Sequence, residues 1–340
     1  VTIQFASACS GIEGFGLGFQ RAGIGTTALI EKEKNRHPCL REWFPGTPLM
    51  GDIADVSGTD LGRIDGLVAG FPCKDISIGK ADRKGLVGEH SSTFFHIPRL
   101  VGEYARLVDE TNPRWVILEN SPELASSKWN GGRDMGTALR IMVELGYGMA
   151  WRVFNARHFR SAGRRTPQNR RRIILVGHRG GDPRPAGAVL DLFGGGGEVA
   201  PASHDGGSEP RPSTGPLVVG DDLVRVWRKG ARPRLAISHG YEGGYRETWV
   251  DDGFANTLTA FDGPSNTRQT HLITQGGRVR ALTAIEWERM QGFPDNWTAP
   301  MGHSARFDAL GNAMHVGMAE WLGRRIVDVH NTVTPIGDTA

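Results

Sequence analysis

A chain of 340 residues is long enough for about two domains and for a sizeable core that needs neither disulfides nor metal. Apolar residues at 39% and charged residues at 23% exclude wholesale disorder and fibrous sequence, and apolar runs such as residues 115–118 fall far below the ~18 residues that span a bilayer. The net charge of +3 is too small to point to nucleic acid, yet 33 of the 40 cations are arginine, which suits forked phosphate and guanine contacts as well as it suits a GC-rich codon bias.

From residue 1 to about 177, short apolar strands alternate with helical spacing. Strands are expected over 2–8, 27–30, 66–69, 115–118 and 172–176, with helices over 15–22, 33–43, 94–108 and 136–145. This alternation predicts a parallel sheet flanked by helices, whose ligands sit beyond the carboxyl ends of the strands. Residues 180–216 hold 16 glycines and prolines in 37 positions and read as a linker or long loop. Residues 217–274 are mixed and turn-rich, with strand candidates at 224–227 and 249–250, and suggest a smaller, irregular domain. Helical pattern returns at 283–290 and 314–327, and the last residues look like a loose tail. Residues 1–4 lack the basic and apolar pattern of a secretory signal. Three cysteines with no C-x-x-C pair predict a reducing, cytoplasmic setting.

Candidate chemistry follows the expected strand ends. The first strand enters Ala8-Cys9-Ser10-Gly11-Ile12-Glu13-Gly14-Phe15-Gly16, a glycine-punctuated turn into a helix, which lets a ligand approach backbone and helix terminus. Glu31 follows the second strand, placed as acidic residues are where nucleotide folds bind ribose, and Asp52 is a second carboxylate at the end of a short third strand that precedes 66–69. The fourth delivers Gly70-Phe71-Pro72-Cys73; a thiol near pKa 8.5 there needs an electropositive pocket to act as a nucleophile. The fifth ends in Glu119-Asn120, a proton donor if burial raises its pKa, or else a satisfied cap. Residues 157–172 contain 7 arginines and no acid, and residues 223–234 contain 5 cations with Trp227 among them, patterns suited to phosphate or base contact.

In this order the motifs resemble the DNA (cytosine-5) methyltransferase family: the cofactor turn at 9–16, proline-cysteine at Pro72-Cys73, Glu119-Asn120, Q-x-R-x-R at Gln168, Arg170 and Arg172, a late motif from Arg280 to Pro294, and Gly311-Asn312. The resemblance implies an α/β, Rossmann-like S-adenosylmethionine-dependent methyltransferase domain over 1–179 plus 308–331. A linker and smaller, irregular target-recognition domain would occupy 180–307, with a tail at 332–340. It implies Cys73 as nucleophile on carbon 6 of a flipped cytosine, Glu119 at ring nitrogen 3 and the exocyclic amine, and Arg172 with Arg170 at the base oxygen. Cofactor contacts carry over to Cys9, Ile12, Gly14, Glu31, Asp52, Ile53, Gly70, Pro72 and Asn312, with Thr93 and Ala313 as weaker inclusions.

Double-stranded DNA is the implied partner, met by Ser77 in a glycine-hinged lid at 74–95, by Asn120 and Gln168, and by Arg225, Arg228, Lys229, Thr257 and Leu258 of the second domain. The resemblance further implies no metal and a monomer near the nucleoid, and it leaves open whether a cognate restriction endonuclease is a partner or the chain acts without one. The sequence departs from the family's usual residues at Cys9, Glu13, His90 and Ser121. A transfer-RNA cytosine-5 methyltransferase shares the motifs, but its cysteine-phenylalanine-threonine triplet is missing here. An NAD-dependent oxidoreductase accounts for the sheet, the glycine turn and Glu31, and leaves Cys73, Glu119 and the arginines without a role.

Overall fold

The structure is a computed structural model that describes residues 2–72, 86, 91–126, 133–162, 164–166, 168–192, 258 and 278–333, and the backbone of five short strands between 217 and 275. Cys73, Ser77, Thr257, most of the expected lid, and the side chains of Arg225, Arg228 and Lys229 lie outside the described residues.

Strand β1 (Gln4–Ala8), helix α1 (Gly14–Arg21), β2 (Gly25–Ile30), α2 (His37–Trp43), the two-residue β3 (Leu49–Met50) and β4 (Gly66–Gly70) follow one another. Next come α3 (His96–Leu107), β5 (Trp115–Asn120), α4 (Arg133–Glu144), β6 (Tyr147–Asn155), the short β7 (Arg160–Ser161), β8 (Arg164–Arg165) and β9 (Gln168–Asn169), and then β10 (Arg171–Arg179). One sheet has the order β3-β2-β1-β4-β5-β10-β6. β1 to β5 pair in parallel as expected, whereas β10 runs antiparallel to both β5 and β6. The sequence pattern did not single out β6, which follows α4 after one turn at Gly146, whose φ of 86° favours glycine.

Alternation along the strands divides the core. Ala6, Leu67, Leu118 and Leu175 face α3 and α4 in one cluster. Phe5, Val68, Ile117 and Val176 face α1, α5 (Arg184–Val189) and the C-terminal α8 (Val316–His330) in another. Period-two alternation buries both sides of the sheet, as parallel strands require. A Cβ on Gly18 would stand 2.6 Å from the Ala319 Cβ, so only glycine lets α1 approach α8 this closely. The final helix thereby packs onto α1.

Two features differ from expectation. Helix α5 lies inside the stretch read as linker, with Ala186 and Val189 buried. The expected domain boundary after Phe307 falls within α7 (His303–Asn312), and α6 (Ala284–Gln291), Trp297 and Phe307 share a cluster with Ile12, Leu29, Leu40 and Phe44. Apolar burial thus attaches 282–307 to the first sheet. Helix α6 begins with the capping box that Thr283 and Glu286 encode and ends at Gly292 in the left-handed region. Between these parts, β11 (Leu217–Val218), β12 (Leu223–Lys229), β13 (Trp249–Val250), β15 (His271–Gln275) and β16 (Arg278–Arg280) form a second, antiparallel sheet. The intervening β14 (Ala255–Asn256) pairs instead with β9. No helix of the described residues is long and apolar enough to cross a membrane.

Candidate active site

The turn after β1 packs three left-handed residues into five: Cys9 (φ 54°), Gly11 (φ 61°) and Glu13 (φ 61°). Such a turn is costly for the two non-glycine residues, and its side chains hold it. Ser10 Oγ donates to Ser7 O, and Glu31 Oε2 accepts the Gly11 N–H at 2.7 Å. Glu13, which stands where glycine is commoner in the resembling family, caps α1 by accepting the Gly16 N–H at 2.6 Å, and it accepts the Ser7 hydroxyl at 2.9 Å. Burial pushes the Glu13 carboxyl up to about 7, against the pull of these hydrogen bonds. The partly buried Cys9 thiol is pushed up to about 12, chiefly by burial and next by the Glu31 carboxylate, so it stays protonated at neutral pH.

At the neighbouring strand ends, Glu31 Oε1 accepts the Glu33 N–H, and Arg36 bridges Glu31 at 3.5 Å to Asp308 of α7 at 3.2 Å. Asp52 pairs with Lys32 at 2.7 Å, and that contact first of all holds its carboxyl below the usual range. A Cβ on Gly11 or Gly51 would meet nothing within 4 Å, so the turns after β1 and β3 border open space. Ile12 and Ile53 are buried, and Asn312 is exposed with its amide donating to Asp308 O. Gly14 has a packing reason of its own, since a Cβ there would lie 2.2 Å from the Met314 carbonyl oxygen.

Reversal of β10 assembles the rest. Ile174 pairs with Glu119 and Ile173 with Asn120, so the start of β10, and not its end, reaches the carboxyl edge of the parallel strands. Arg172 Nε thereby lies 2.6 Å from Glu119 Oε1, with both side chains largely shielded. Gly70 pairs with Glu119 across β4 and β5, and a Cβ there would stand 3.2 Å from Glu119 Oε2. Phe71 and Pro72 continue from that point to Cys73.

Four expected contacts have other roles. Arg170, expected beside Arg172 at the base, is wholly buried and donates to the carbonyls of Leu258, Gly311 and Ala313; it ties the two units and the last motif together. Asn120 is buried and donates to Phe71 O at 3.1 Å, bracing the segment that leads to Cys73. Gln168 is buried, with its backbone paired to Ala255. Leu258 is core, in the cluster of Ile12 and Trp287. Thus none of these three side chains has a surface to offer DNA. Sequence reasoning missed Arg36, Asp308 and Trp297; the only signal was aromatic, Trp297 following the late motif's Gly292-Phe293-Pro294.

The chain matches the model of the C-5 cytosine-specific DNA methylase family over residues 3–190 and 231–328. It is 25% identical to the type II methyltransferase M.Sau3AI of Staphylococcus aureus, over 95% of each chain. It is 27% identical to the type II methyltransferase M.NlaX of Neisseria lactamica, over 90% of each. The Dnmt2 methyltransferase of S. pombe shares its fold with a TM-score of 0.63 at 15% identity, covering 97% of this chain and 99% of that one.

Proposed function

The chain belongs to the C-5 cytosine-specific DNA methylase family and is a DNA cytosine-5 methyltransferase with S-adenosylmethionine as methyl donor, and on that premise we propose how its residues carry the reaction. The Arg172–Glu119 pair at the edge where β4 runs into Cys73 is the observation that carries the reading. Cys73 adds as thiolate to carbon 6 of the target cytosine, and the displaced electron pair makes carbon 5 nucleophilic. Glu119 hydrogen-bonds ring nitrogen 3 and the exocyclic amine, stabilising charge at that nitrogen. Arg172 orients Glu119 and holds the base oxygen, a task suited to its fixed fork of donors. Once carbon 5 has taken the methyl group that a bound donor would supply, loss of its proton to solvent water expels the Cys73 sulfur as thiolate and restores the ring double bond. The base must leave the duplex to reach this edge, at an unstacking cost of about a few kcal/mol.

The residues of the first turns fit the cofactor. The open space at Gly11 and Gly51 leaves room beside the Glu31 and Asp52 carboxylates, and Glu31 is pre-oriented by two backbone N–H groups. Glu31 would hold the ribose hydroxyls, Asp52 and Ile53 the adenine, and the turn at 9–13 the remainder; bound there, S-adenosylmethionine supplies an electrophilic methyl group. The sheet containing β12, with Arg225, Arg228 and Lys229 in its sequence, reads the DNA, and affinity therefore falls steeply with salt. The protein acts as a monomer in the cytoplasm, near the nucleoid, alongside a cognate endonuclease.

Bisulfite sequencing of DNA from cells expressing the chain is expected to show a single methylated sequence context, and Cys73→Ala to abolish it while DNA binding persists. Labelling confined to transfer RNA in an assay offering both substrates, or turnover by Cys73→Ala, would overturn this function.

A further inference from the structure

Two loops flank the space assigned to the cofactor: the turn at 9–13 after β1 and the segment from Glu31 into α2. They meet directly where the Gly11 N–H reaches Glu31, and a residue far away in sequence ties both from behind. The buried Trp297 donates its indole N–H to Ile12 O at 2.9 Å. Its own carbonyl oxygen accepts the Trp43 indole N–H at 2.7 Å and the Cys39 S–H at 3.2 Å, both from α2. The Trp43 and Trp297 rings stack at 4.7 Å and 5°, and Phe44 adds an edge contact at 6.3 Å. Cys39 remains a donor because burial pushes its thiol up to about 12.

The turn that presents Trp297 is itself anchored. Glu288 of α6 is wholly buried and accepts the Asn296 N–H at 2.7 Å, the Thr298 N–H at 2.8 Å, the Thr298 hydroxyl and an Arg306 N–H at 2.9 Å. Asn296 sits at φ 64° within it. A buried carboxylate that spends both oxygens on one tight turn fixes that turn firmly, because an unmatched charge there would be costly. Phe293 of the same segment reaches within 3.3 Å of where a Gly14 Cβ would stand.

We propose that Trp297 is a positioning residue that staples the Ile12 turn to α2 and so sets the width of the cofactor cleft and the affinity for S-adenosylmethionine, without touching the reacting atoms. The affinity part rests on the assignment of the 9–13 turn to the cofactor. With the Ile12 carbonyl held by the indole, the strained turn keeps the conformation in which Gly11 N–H meets Glu31. Without it, the turn exchanges among conformers, and cofactor binding must reorder them.

The test compares Trp297→Phe, Trp43→Phe and the wild type by three measurements: amide hydrogen exchange without ligand, calorimetric binding of S-adenosylmethionine, and steady-state methyl transfer. Trp297→Phe keeps an aromatic ring in the stack and loses the N–H. It is expected to raise exchange over residues 9–13, weaken S-adenosylmethionine binding about 5- to 10-fold and raise its KM by the same factor, with kcat and the KM for DNA unchanged. Trp43→Phe, which leaves the Ile12 and Cys39 bonds and an aromatic ring in the stack but removes one bond of the α2 arm, is expected to leave exchange over 9–13 unchanged and to weaken S-adenosylmethionine binding in the same direction but by less than Trp297→Phe. Should Trp297→Phe fail to fold, Glu288→Gln, which loosens the presenting turn, is expected to shift exchange and KM in the same direction. Unchanged exchange over 9–13, or a fall in kcat with S-adenosylmethionine affinity intact, would overturn the proposal. If the wild type binds no S-adenosylmethionine, the cofactor assignment and the affinity part fall together, and the exchange measurement still decides on the staple.

Discussion

Arg172 Nε and Glu119 Oε1 lie 2.6 Å apart because β10 runs against β5 and brings the start of one strand to the end of the other. The pair is largely shielded, so removing either partner leaves a charge in a poor solvent environment. Arg172→Lys retains charge and loses the fork. Its kcat is expected to fall about 100-fold, and that of Glu119→Gln by about 10² to 10⁴, with S-adenosylmethionine binding unchanged in both. Single-turnover methylation with calorimetric binding checks this; a loss confined to binding would remove the pair from the chemistry.

Arg170 is expected to behave differently from Arg172 despite their shared motif. Its guanidinium spans the carbonyls of Leu258, Gly311 and Ala313 with no solvent exposure. Arg170→Met strands three buried acceptors and should cost about 3 kcal/mol or more. Urea unfolding would show it as a lowered midpoint. A variant of wild-type stability with lost kcat would instead return Arg170 to the reaction.

The contrast between these two arginines marks what the sequence makes legible. The turn at 9–16, Glu31, Asp52 and Glu119 stand at or just after the ends of strands that alternate with helices, and the rule that ligands gather at strand ends singles them out as candidates. Arg172 stands at the start of its strand, so that rule alone would leave it on the opposite edge; the motif resemblance supplied it, and the antiparallel β10 explains it. Burial is harder to read. Arg170, Gln168 and Asn120 are polar residues in an arginine-rich or motif-bearing setting, and only tertiary packing shows that their groups serve backbone carbonyls or a core. Trp297 and Glu288 act across long sequence separations, and no local pattern encodes that pairing.

Stability should respond to pH through two buried groups of opposite sign. The Glu13 carboxyl, raised to about 7 chiefly by burial, binds its proton more tightly when folded than unfolded, where its pKa is about 4.3. Its contribution is therefore lost as pH rises through the window from about 4.5 to 7. His315 is lowered to about 3 by burial and then by Arg170. Its Nδ1 accepts the Met318 N–H, which leaves the Nε2–H to donate to Thr166 Oγ1. The native state there binds fewer protons than the unfolded chain, so its contribution is lost as pH falls from about 6.5 towards 3. Glu13→Gln is expected to raise Tm relative to the wild type at pH 8, by a stability difference on the order of 2 to 3 kcal/mol, and to show no such gain near pH 4. His315→Asn should flatten the acid limb. Thermal melts at pH 4, 6 and 8 distinguish the two, and a Glu13→Gln gain independent of pH would mean that the carboxyl is not the titrating group.

Two glycines at neighbouring turns should separate chemistry from folding. At Gly70 an added Cβ would lie 3.2 Å from Glu119 Oε2, the oxygen opposite the one that Arg172 holds. The carboxylate tip yields by a few tenths of an ångström, which costs little stability but moves the group that meets the base. Gly70→Ala is expected to lower kcat about 10-fold or more with Tm nearly unchanged. At Gly14 the added Cβ would lie 2.2 Å from the Met314 carbonyl oxygen, a backbone atom of the segment leading into α8 that cannot rotate aside. Gly14→Ala must part α1 from the segment leading into α8, so it should cost about 1–3 kcal/mol or more in urea unfolding and weaken S-adenosylmethionine binding through the turn it distorts. Equal losses of stability in both variants would show that Glu119 is braced as rigidly as the helix contact, and that its carboxylate has no freedom to adjust to a base.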